Sequence, residues 1–271
     1  MSEYTDFYLS WQGCSAFGNT PSTAPIVTPP IPPVVFTPLD ISDCYIWFNA
    51  DDETSIQLAE DGGLTSFSNL GLASGAALSN LGKVSVVQDV ANLNCVNFPS
   101  GSQLTFNVTL PYCSRTQFVV FNSLSDMSGA TYPFLTFISG GYSSMQTGVN
   151  WDSNSGNFQY SMCQNGINCP ILGTIATNPL SNPTIVTYVI DSNSSSNSYL
   201  YINNDNSNIN TSPDLGNLFT TVADDYIINN PGPPGDGQSQ NMCELIEYGR
   251  ALDASEITQV FAYLSAKWGI S

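Results

Sequence analysis

The chain contains no histidine, and only four of its 271 residues are basic. Without histidine, neither a Ser-His-Asp triad nor a Cys-His pair is available for nucleophilic catalysis. Lys83, Arg115, Arg250 and Lys267 face 22 acidic residues, which leaves a net charge of -18. Nucleic-acid binding needs several basic groups to displace counterions from phosphates, and anionic membrane surfaces repel acidic chains. We therefore expect no nucleic-acid partner and no attraction to membranes.

Long apolar runs are missing as well. No segment approaches the roughly 18 apolar residues of a membrane-spanning helix, so we expect no membrane insertion. Residues 1–6 carry neither a basic segment nor a following apolar core, so no secretory signal peptide is visible. This pattern predicts synthesis in a reducing, cytosol-like compartment.

The seven cysteines give an odd count at irregular spacing, without a C-x-x-C pair. Cys44, Cys95 and Cys243 lie in apolar, strand-like runs, where a free cysteine acts as a small buried hydrophobic residue. Cys163 and Cys169 flank a five-residue stretch. Two interpretations of this pair stay open, a disulfide across a hairpin or two thiols kept reduced by the compartment. With no histidine either, we expect no zinc site and no other cofactor.

From Leu39 onward, short runs of β-branched and aromatic residues alternate with Gly, Asn, Ser and Pro. This rhythm is typical of an all-β sandwich. Asn203 and Asn204 follow one such run and predict a hairpin turn, because Asn tolerates positive φ. The predicted strands are 44–48, 84–87, 95–98, 103–108, 116–121, 134–139, 145–150, 157–162, 184–190, 198–202, 226–228 and 243–248.

The C-terminal segment predicts a strand followed at once by an amphipathic helix. Asp253 stands at the N-cap and Glu256 follows three residues later, which is a capping-box arrangement. Gly269 can end the helix in a left-handed conformation. One apolar face, expected to dock on the sandwich, is formed at helical spacing by Ile257, Val260, Phe261, Leu264 and Trp268.

Three stretches resemble laminin-G-like, concanavalin-type jelly-roll domains. Residues 46–52, Ile-Trp-Phe-Asn-Ala-Asp-Asp, resemble the family's "W-x-D-A-x-D" opening, with Asn49 where Asp is commoner. Residues 199–204, Tyr-Leu-Tyr-Ile-Asn-Asn, resemble an "L-Y-I-N-G" hairpin, with Asn204 in the glycine place. Residues 242–270 resemble the tail "E-I-x-Y-x-R-x-L-x-x-x-E … Y-L-x-x-K-W-G-I". The resemblance implies an all-β, concanavalin-like two-sheet jelly-roll sandwich over residues 39–271 with a short C-terminal helix. It transfers no ligand-binding residues, because the middle of the chain resembles the family only in its alternation of short strand-like runs and turn residues.

Glycosidases on this jelly roll place two carboxylates on alternate residues of one strand, so that both project into the cleft. The nearest candidates are Glu244 and Glu247, whose separation of three points them to opposite faces of a strand. We interpret these two residues as rim positions or partners of Arg250, and we expect no enzyme.

Relatives on this fold hold calcium at a rim of the sandwich, and calcium takes six to eight oxygen ligands. Dense acidic clusters occur near predicted loops at Asp51-Asp52-Glu53 and at Asp224-Asp225. No ligand spacing links the two clusters. We favour solvated turn residues over a calcium site.

Residues 1–38 differ from the rest of the chain and are predicted to form an extended, Pro-rich N-terminal arm. Proline fixes φ and removes a hydrogen-bond donor, so residues 21–38 should adopt a polyproline-like conformation. The alternatives are a disordered linker and an arm that orders against a partner. Large apolar side chains favour the second, because a solvated tail would not carry so many. These proposed anchors are Tyr4, Phe7, Tyr8, Leu9 and Trp11.

A Pro-rich lead followed by this opening and this tail resembles the virion proteins of large icosahedral DNA viruses. The resemblance implies a non-enzymatic virion structural protein, assembled in the host cytoplasm. Such a minor capsid or capsid-decorating subunit would dock on the major capsid lattice through its arm and sandwich surface, with other capsid proteins as partners.

The alternative function is a lectin-like, carbohydrate-binding module for attachment to a host surface. Trp151 stands in a predicted loop with Asp152 and Asn154. An indole there can stack on a sugar ring while the two polar side chains bond its hydroxyls. The competing interpretation makes Trp151 a packing lid at a strand end.

Overall fold

The computed structural model describes residues 36–99, 101–108, 114–122, 135–139, 146–152, 157–163, 171–175, 183–191, 199–203, 226–228 and 240–270. In these ranges the chain forms sixteen strands, one α-helix and three short 3₁₀ turns. The strands are β1 Cys44–Asn49, β2 Ile56–Leu58, β3 Leu64–Ser68, β4 Ala76–Leu81, β5 Ser85–Gln88, β6 Asn94–Phe98, β7 Gln103–Phe106, β8 Arg115–Asn122, β9 Leu135–Ser139, β10 Gln146–Asp152, β11 Asn157–Cys163, β12 Ile171–Ile175, β13 Thr184–Ile190, β14 Tyr199–Ile202, β15 Tyr226–Ile228 and β16 Gln240–Tyr248. The helix is α1, Ala254–Trp268, and the 3₁₀ turns are Pro38–Asp40, Glu53–Ser55 and Val90–Asn92.

The strands form two antiparallel sheets. Sheet A has the order β14-β13-β8-β16-β6-β5, and β1 joins it by pairing with β16. Sheet B has the order β12-β11-β10-β9-β15-β7-β4-β3-β2. The predicted class, an all-β two-sheet sandwich with a short C-terminal helix, is therefore confirmed.

Strand β16 organises sheet A. Its residues 240–242 pair with β6, and after a bulge at Cys243 its residues 244–248 pair with β1. Strand β8 pairs with β16 along the other side. All nine residues of β16 are buried, because strands flank it on both sides and apolar layers cover both of its faces.

Two apolar cores lie on the two faces of sheet A. The inner core, between the sheets, includes Phe48, whose ring centroid is 5.0 Å from that of Phe67 and 5.4 Å from that of Phe106. The outer core lies on the opposite face and includes the buried side chains Leu264 and Trp268 of α1. Fully burying a large apolar side chain contributes about 1.5–3 kcal/mol, so both cores stabilise the fold.

Helix α1 has the ends that the sequence predicts. Asp253 Oδ1 accepts the backbone N–H groups of Ser255 and Glu256 at 2.8 and 2.9 Å, and Glu256 Oε2 accepts the N–H of Asp253 at 3.1 Å. Gly269 takes a left-handed φ of 65°, and the N–H of Ile270 bonds the carbonyl of Ser265 at 3.0 Å. No helix in the described part of the chain has the length and hydropathy needed to cross a lipid bilayer.

Every predicted strand is present, with some ends shifted by a few residues. Strands β2, β3, β4 and β12 were not predicted. Strand β2 has only three residues, β4 contains two Ala and one Asn, β12 has Gly173 at its centre, and β3 is Leu-Thr-Ser-Phe-Ser. Ala, Asn and Gly are depleted in strands, so β4 and β12 depend on their neighbours in the sheet as well as on their own composition.

One cysteine prediction is wrong. Cys95 and Cys243 form a disulfide between the neighbouring strands β6 and β16, although 148 residues separate them along the chain. Cys44 is free and buried as predicted, and burial raises the pKa of its thiol to about 12. The side chain of Cys163 and all of Cys169 lie outside the described residues.

The arm anchors Tyr4 to Trp11 also lie outside the described residues, and the division of the chain at residue 38 stays a prediction. Two residues near that division contact the sandwich. The ring of Phe36 lies 6.0 Å from that of Tyr263, and the hydroxyl of Tyr248 donates to the carbonyl oxygen of Pro38 at 3.0 Å.

Loss of the outer-core contacts of α1 should destabilise the whole sandwich. We expect Leu264→Ala to lower the free energy of unfolding by about 2–5 kcal/mol, because it removes a buried leucine. Gln259→Ala, at an exposed position of the same helix, is the matched control and should change it by less than about 0.5 kcal/mol. Denaturant titration followed by tryptophan fluorescence measures both. Equal effects of the two variants would rule out a docked helix.

The disulfide and the buried thiol are testable by peptide mapping. After iodoacetamide treatment of the native protein at about pH 8, non-reducing digestion should give a linked peptide pair containing Cys95 and Cys243. Cys44 should be unmodified, because its thiol is buried and its pKa is raised. The same treatment in guanidinium chloride is the control and should modify Cys44. Alkylated Cys95 in the native protein would contradict the pairing.

Candidate functional site

Two of the three stretches that carry the family resemblance, residues 46–52 and 242–270, meet at one buried carboxylate, that of Glu244. Its Oε1 accepts the indole N–H of Trp47 at 2.7 Å and the hydroxyl of Tyr263 at 2.9 Å. Its Oε2 accepts the Lys267 ammonium at 2.9 Å and the indole N–H of Trp268 at 2.8 Å. We call this arrangement the Glu244 hub. It joins the opening of the domain, its last strand and its terminal helix.

Local structure explains why the hub forms. Tyr263 and Lys267 are four residues apart on α1 and therefore lie on one helical face. Asn49, on the paired strand β1, accepts a second hydrogen bond from Lys267 Nζ at 2.6 Å. Burial, and then the nearby charge of Glu244, raise the pKa of the Tyr263 hydroxyl, which stays protonated. Both oxygens of Glu244 are occupied by donors, so the hub docks α1 and offers no acceptor for a ligand.

Glu247 lies on the other face of β16. Its Oε2 accepts Gln117 Nε2 at 2.6 Å, and its Oε1 lies 3.7 Å from Arg115 Nη1. Glu244 and Glu247 thus point to opposite faces, as their spacing predicts, and each is fully buried. The interpretation as rim positions or partners of Arg250 is wrong, because both faces of sheet A are covered.

Arg250 pairs instead with acidic groups at the start of α1 and before β1. Its Nη1 and Nη2 bond the Oε2 and Oε1 of Glu256 at 2.7 and 2.6 Å, and its Nε lies 3.4 Å from Asp43 Oδ2. The hydrogen bond with Glu256 raises the pKa of Arg250 and lowers the pKa of Glu256. A carboxyl group whose pKa is lowered by folding stabilises the fold at pH values above its unfolded-state pKa. This contribution is lost as the pH falls through the lowered, folded-state pKa.

The acidic cluster near β1 serves turns. Asp52 Oδ1 accepts the backbone N–H of Thr54 at 3.0 Å and so caps the 3₁₀ turn Glu53–Ser55. Asp51 Oδ1 accepts the backbone N–H of Asn94 at 3.3 Å. Across the described ranges, no three His, Cys, Asp or Glu side chains are grouped as a metal site. Asp224 and Asp225 lie outside those ranges.

A surface pocket of about 380 Å³ opens where the β13–β14 pair meets the start of α1. We call it the Tyr199 pocket. One tyrosine, two aspartates and several apolar residues line it. Its lining residues are Asp191, Tyr199, Ala251, Leu252, Asp253, Ala254 and Ile257.

Sheet geometry places a second tyrosine near the pocket. Tyr199 and Tyr201 are two residues apart on β14, so their side chains share one face of the strand. Both pack into the outer core on the α1 side of sheet A, with ring centroids 6.2 Å apart. Both rings are half-buried. Asp253 lines the pocket, and its Oδ1 caps the helix, so the N-cap residue of α1 is also a pocket residue.

The residues predicted to contact carbohydrate are placed elsewhere. Trp151 and Asp152 end strand β10 and pair with Phe158 and Asn157 of β11, so their prediction as loop residues is wrong. Asn154 lies outside the described residues. Strand β10 belongs to sheet B, whereas the Tyr199 pocket adjoins sheet A. The sequence does not reveal the pocket, because its residues come from three separate parts of the chain. The alternating Tyr-Leu-Tyr run of residues 199–201 is a signal that could have indicated its aromatic side.

No protein-family profile and no curated protein sequence matches the chain. Its structure is similar to the ligand-binding domain of botulinum neurotoxin serotype D, solved in complex with N-acetylneuraminic acid. The TM-score is 0.54 at 13% identity, over 81% of this chain and 50% of that chain. It is equally similar to a botulinum neurotoxin type C chain, whose cell entry depends on interaction with two ganglioside molecules. That TM-score is 0.54 at 13% identity, over 82% and 51% of the two chains.

A third similar structure is the Trypanosoma rangeli sialidase in complex with sialic acid. The TM-score is 0.54 at 14% identity, over 84% of this chain and 33% of the sialidase. Identities this low establish a shared fold and nothing finer. The chain spans about half the length of the neurotoxin chains and about a third of the sialidase.

The Glu244 hub should be sensitive to the loss of one charge. We expect Glu244→Gln to lower the free energy of unfolding by about 3–5 kcal/mol, because the Lys267 ammonium would lose its buried partner. Glu60→Gln makes the same chemical change at an exposed position and should have little effect. Thermal and denaturant unfolding of the three proteins measures this. A Glu244→Gln protein as stable as the control would show that the hub does not hold α1.

Proposed function

We propose that the chain is a non-catalytic carbohydrate-binding module that holds a sugar in the Tyr199 pocket. The observation that carries the proposal is that one surface cavity is lined by a tyrosine, two aspartates and several apolar residues. Small-molecule sites are concave and mostly apolar, with a few polar groups that set orientation. The fold agrees with this proposal, because similar sandwiches include a ligand-binding domain solved with a bound sugar.

The chemistry of the pocket matches that of a sugar ring. One face of a pyranose presents C–H groups that can pack on the half-buried ring of Tyr199. Its hydroxyls can donate to the carboxylates of Asp191 and Asp253, and hydrogen bonds to an ionised acceptor are stronger than neutral ones. Ala251 and Ile257 supply apolar contact at the floor.

A binding role fits better than catalysis. Retaining and inverting glycosidases both need two carboxylates that flank one bond. Glu244 and Glu247 are fully buried on opposite faces of β16 and cannot meet a substrate. Asp253 holds the N-terminus of α1 through two backbone hydrogen bonds, which restricts its carboxylate to one orientation.

The virion structural role remains a second proposal. It rests on the Pro-rich arm of residues 1–38 and on the capsid partners that the arm would contact. The two roles are compatible, because a capsid-decorating subunit can also carry a glycan-binding sandwich.

Replacing the aromatic ring should abolish most of the binding. On a glycan array we expect Tyr199→Ala to reduce affinity at least about tenfold, because aromatic anchors supply much of the binding free energy. Tyr199→Phe keeps the ring and should retain most of the affinity. Unfolding curves of both variants check that the sandwich is intact.

Trp151→Ala is the control that separates the two candidate sites. It should bind as the unsubstituted chain does if the Tyr199 pocket is the site. Loss of binding in Trp151→Ala alone would move the site to β10. Absence of binding to every glycan by the unsubstituted chain would refute the carbohydrate-binding proposal.

A further inference from the structure

Each of the four Lys and Arg side chains already has a carboxylate partner within the molecule. From this pairing we infer that the Tyr199 pocket selects uncharged sugars and discriminates against sialylated and other anionic glycans. The inference rests on the proposed carbohydrate-binding function and names its ligand class. It sets the chain apart from the neurotoxin and sialidase structures solved with sialic acid, although they share its fold.

Two of the four cations are inside the protein. Lys267 lies 2.9 Å from Glu244 with 15% of its side chain exposed, and it belongs to the Glu244 hub. Arg115 lies 3.7 Å from Glu247 with 7% of its side chain exposed. Neither can reach a surface ligand without leaving a buried carboxylate unpaired, which is strongly unfavourable.

A third cation, Lys83, is exposed but remote. It pairs with Asp61 at 3.0 Å, and such exposed pairs contribute little to stability, so a ligand could compete for it. Lys83 stands just before β5, at one edge of sheet A. The Tyr199 pocket adjoins β14, at the opposite edge of the same sheet. Lys83 therefore cannot neutralise an anion in the pocket.

Arg250 is the cation nearest to the pocket along the chain, since it precedes the lining residues Ala251 and Leu252. Both of its terminal nitrogens bond Glu256, and its Nε faces Asp43. A bidentate Arg–carboxylate pair is among the stronger charge-assisted interactions. Its guanidinium is thus neutralised by this protein's own side chains before any ligand arrives.

The N-terminus of α1 would ordinarily attract an anion through its backbone N–H groups and helix dipole. Here Asp253 occupies the N–H groups of Ser255 and Glu256 and adds a negative charge of its own. Asp191 adds a second carboxylate to the pocket lining. An incoming sugar carboxylate would meet like charge, whereas the hydroxyls of an uncharged sugar meet acceptors.

The test uses the full chain and glycan pairs that differ only in terminal N-acetylneuraminic acid, prepared by enzymatic desialylation. We expect binding to the desialylated members at least about tenfold tighter than to their sialylated partners. High salt should narrow the difference, because screening weakens repulsion between partly exposed charges. Equal or tighter binding of the sialylated members would overturn the inference while leaving the carbohydrate-binding proposal intact. Absence of binding to both members of every pair would refute that proposal and the inference with it.

A double variant, Asp43→Asn with Glu256→Gln, should release Arg250 and reduce discrimination against the sialylated members. Gln can keep the capping box, and Asn tolerates the positive φ of 66° at position 43. Glu53→Gln with Glu60→Gln removes the same number of charges at exposed positions and is the control for net charge. Discrimination that falls equally in both variants would mean that net charge, rather than the clamped Arg250, sets the selectivity. If the double variant fails to fold, the comparison of sialylated and desialylated glycans on the unsubstituted chain still tests the inference.

Discussion

The burial of the Glu244 carboxylate is the constraint on which the arrangement of sheet A and α1 depends. Removing a carboxylate from water is strongly unfavourable unless several donors replace the lost hydration. Trp47, Tyr263, Lys267 and Trp268 supply those donors, three of them from the helix. Strand and helix therefore depend on each other, since the helix cannot shift by a turn without leaving Glu244 unsatisfied. Residues 46–52 and 242–270, two of the stretches that resemble laminin-G-like domains, therefore contribute to docking the helix.

The positions of the charged side chains follow from the small number of cations in the chain. The chain has four basic side chains, and the two buried glutamates of β16 occupy two of them. Arg250 holds the start of α1 to the segment before β1, which leaves the surface near the pocket acidic. A fold shared with sialic-acid-bound structures does not bring their chemistry with it, because function depends on the side chains of a site.

Structural features that depend only on neighbouring residues were predicted correctly from the sequence. The capping box of Asp253 and Glu256 spans four residues, so the start of α1 was predictable from adjacent residues alone. The opposite orientation of Glu244 and Glu247 follows from the two-residue period of a strand. Their burial did not follow, because the period does not say whether both faces of a sheet are covered. Trp151 has polar neighbours that suggested a loop, whereas pairing with Phe158 makes it part of β10.

By itself, the sequence determined the all-β class, the terminal helix and the exclusion of histidine-based chemistry, because each depends on composition or on neighbours a few residues apart. The tertiary structure alone decided which distant residues meet. The disulfide joins cysteines 148 residues apart, and the hydrogen bond from Trp47 to Glu244 spans 197 residues. The Tyr199 pocket likewise exists only where β13, β14 and α1 come together. Contacts of this range arise from sheet order and register, which local propensity does not encode.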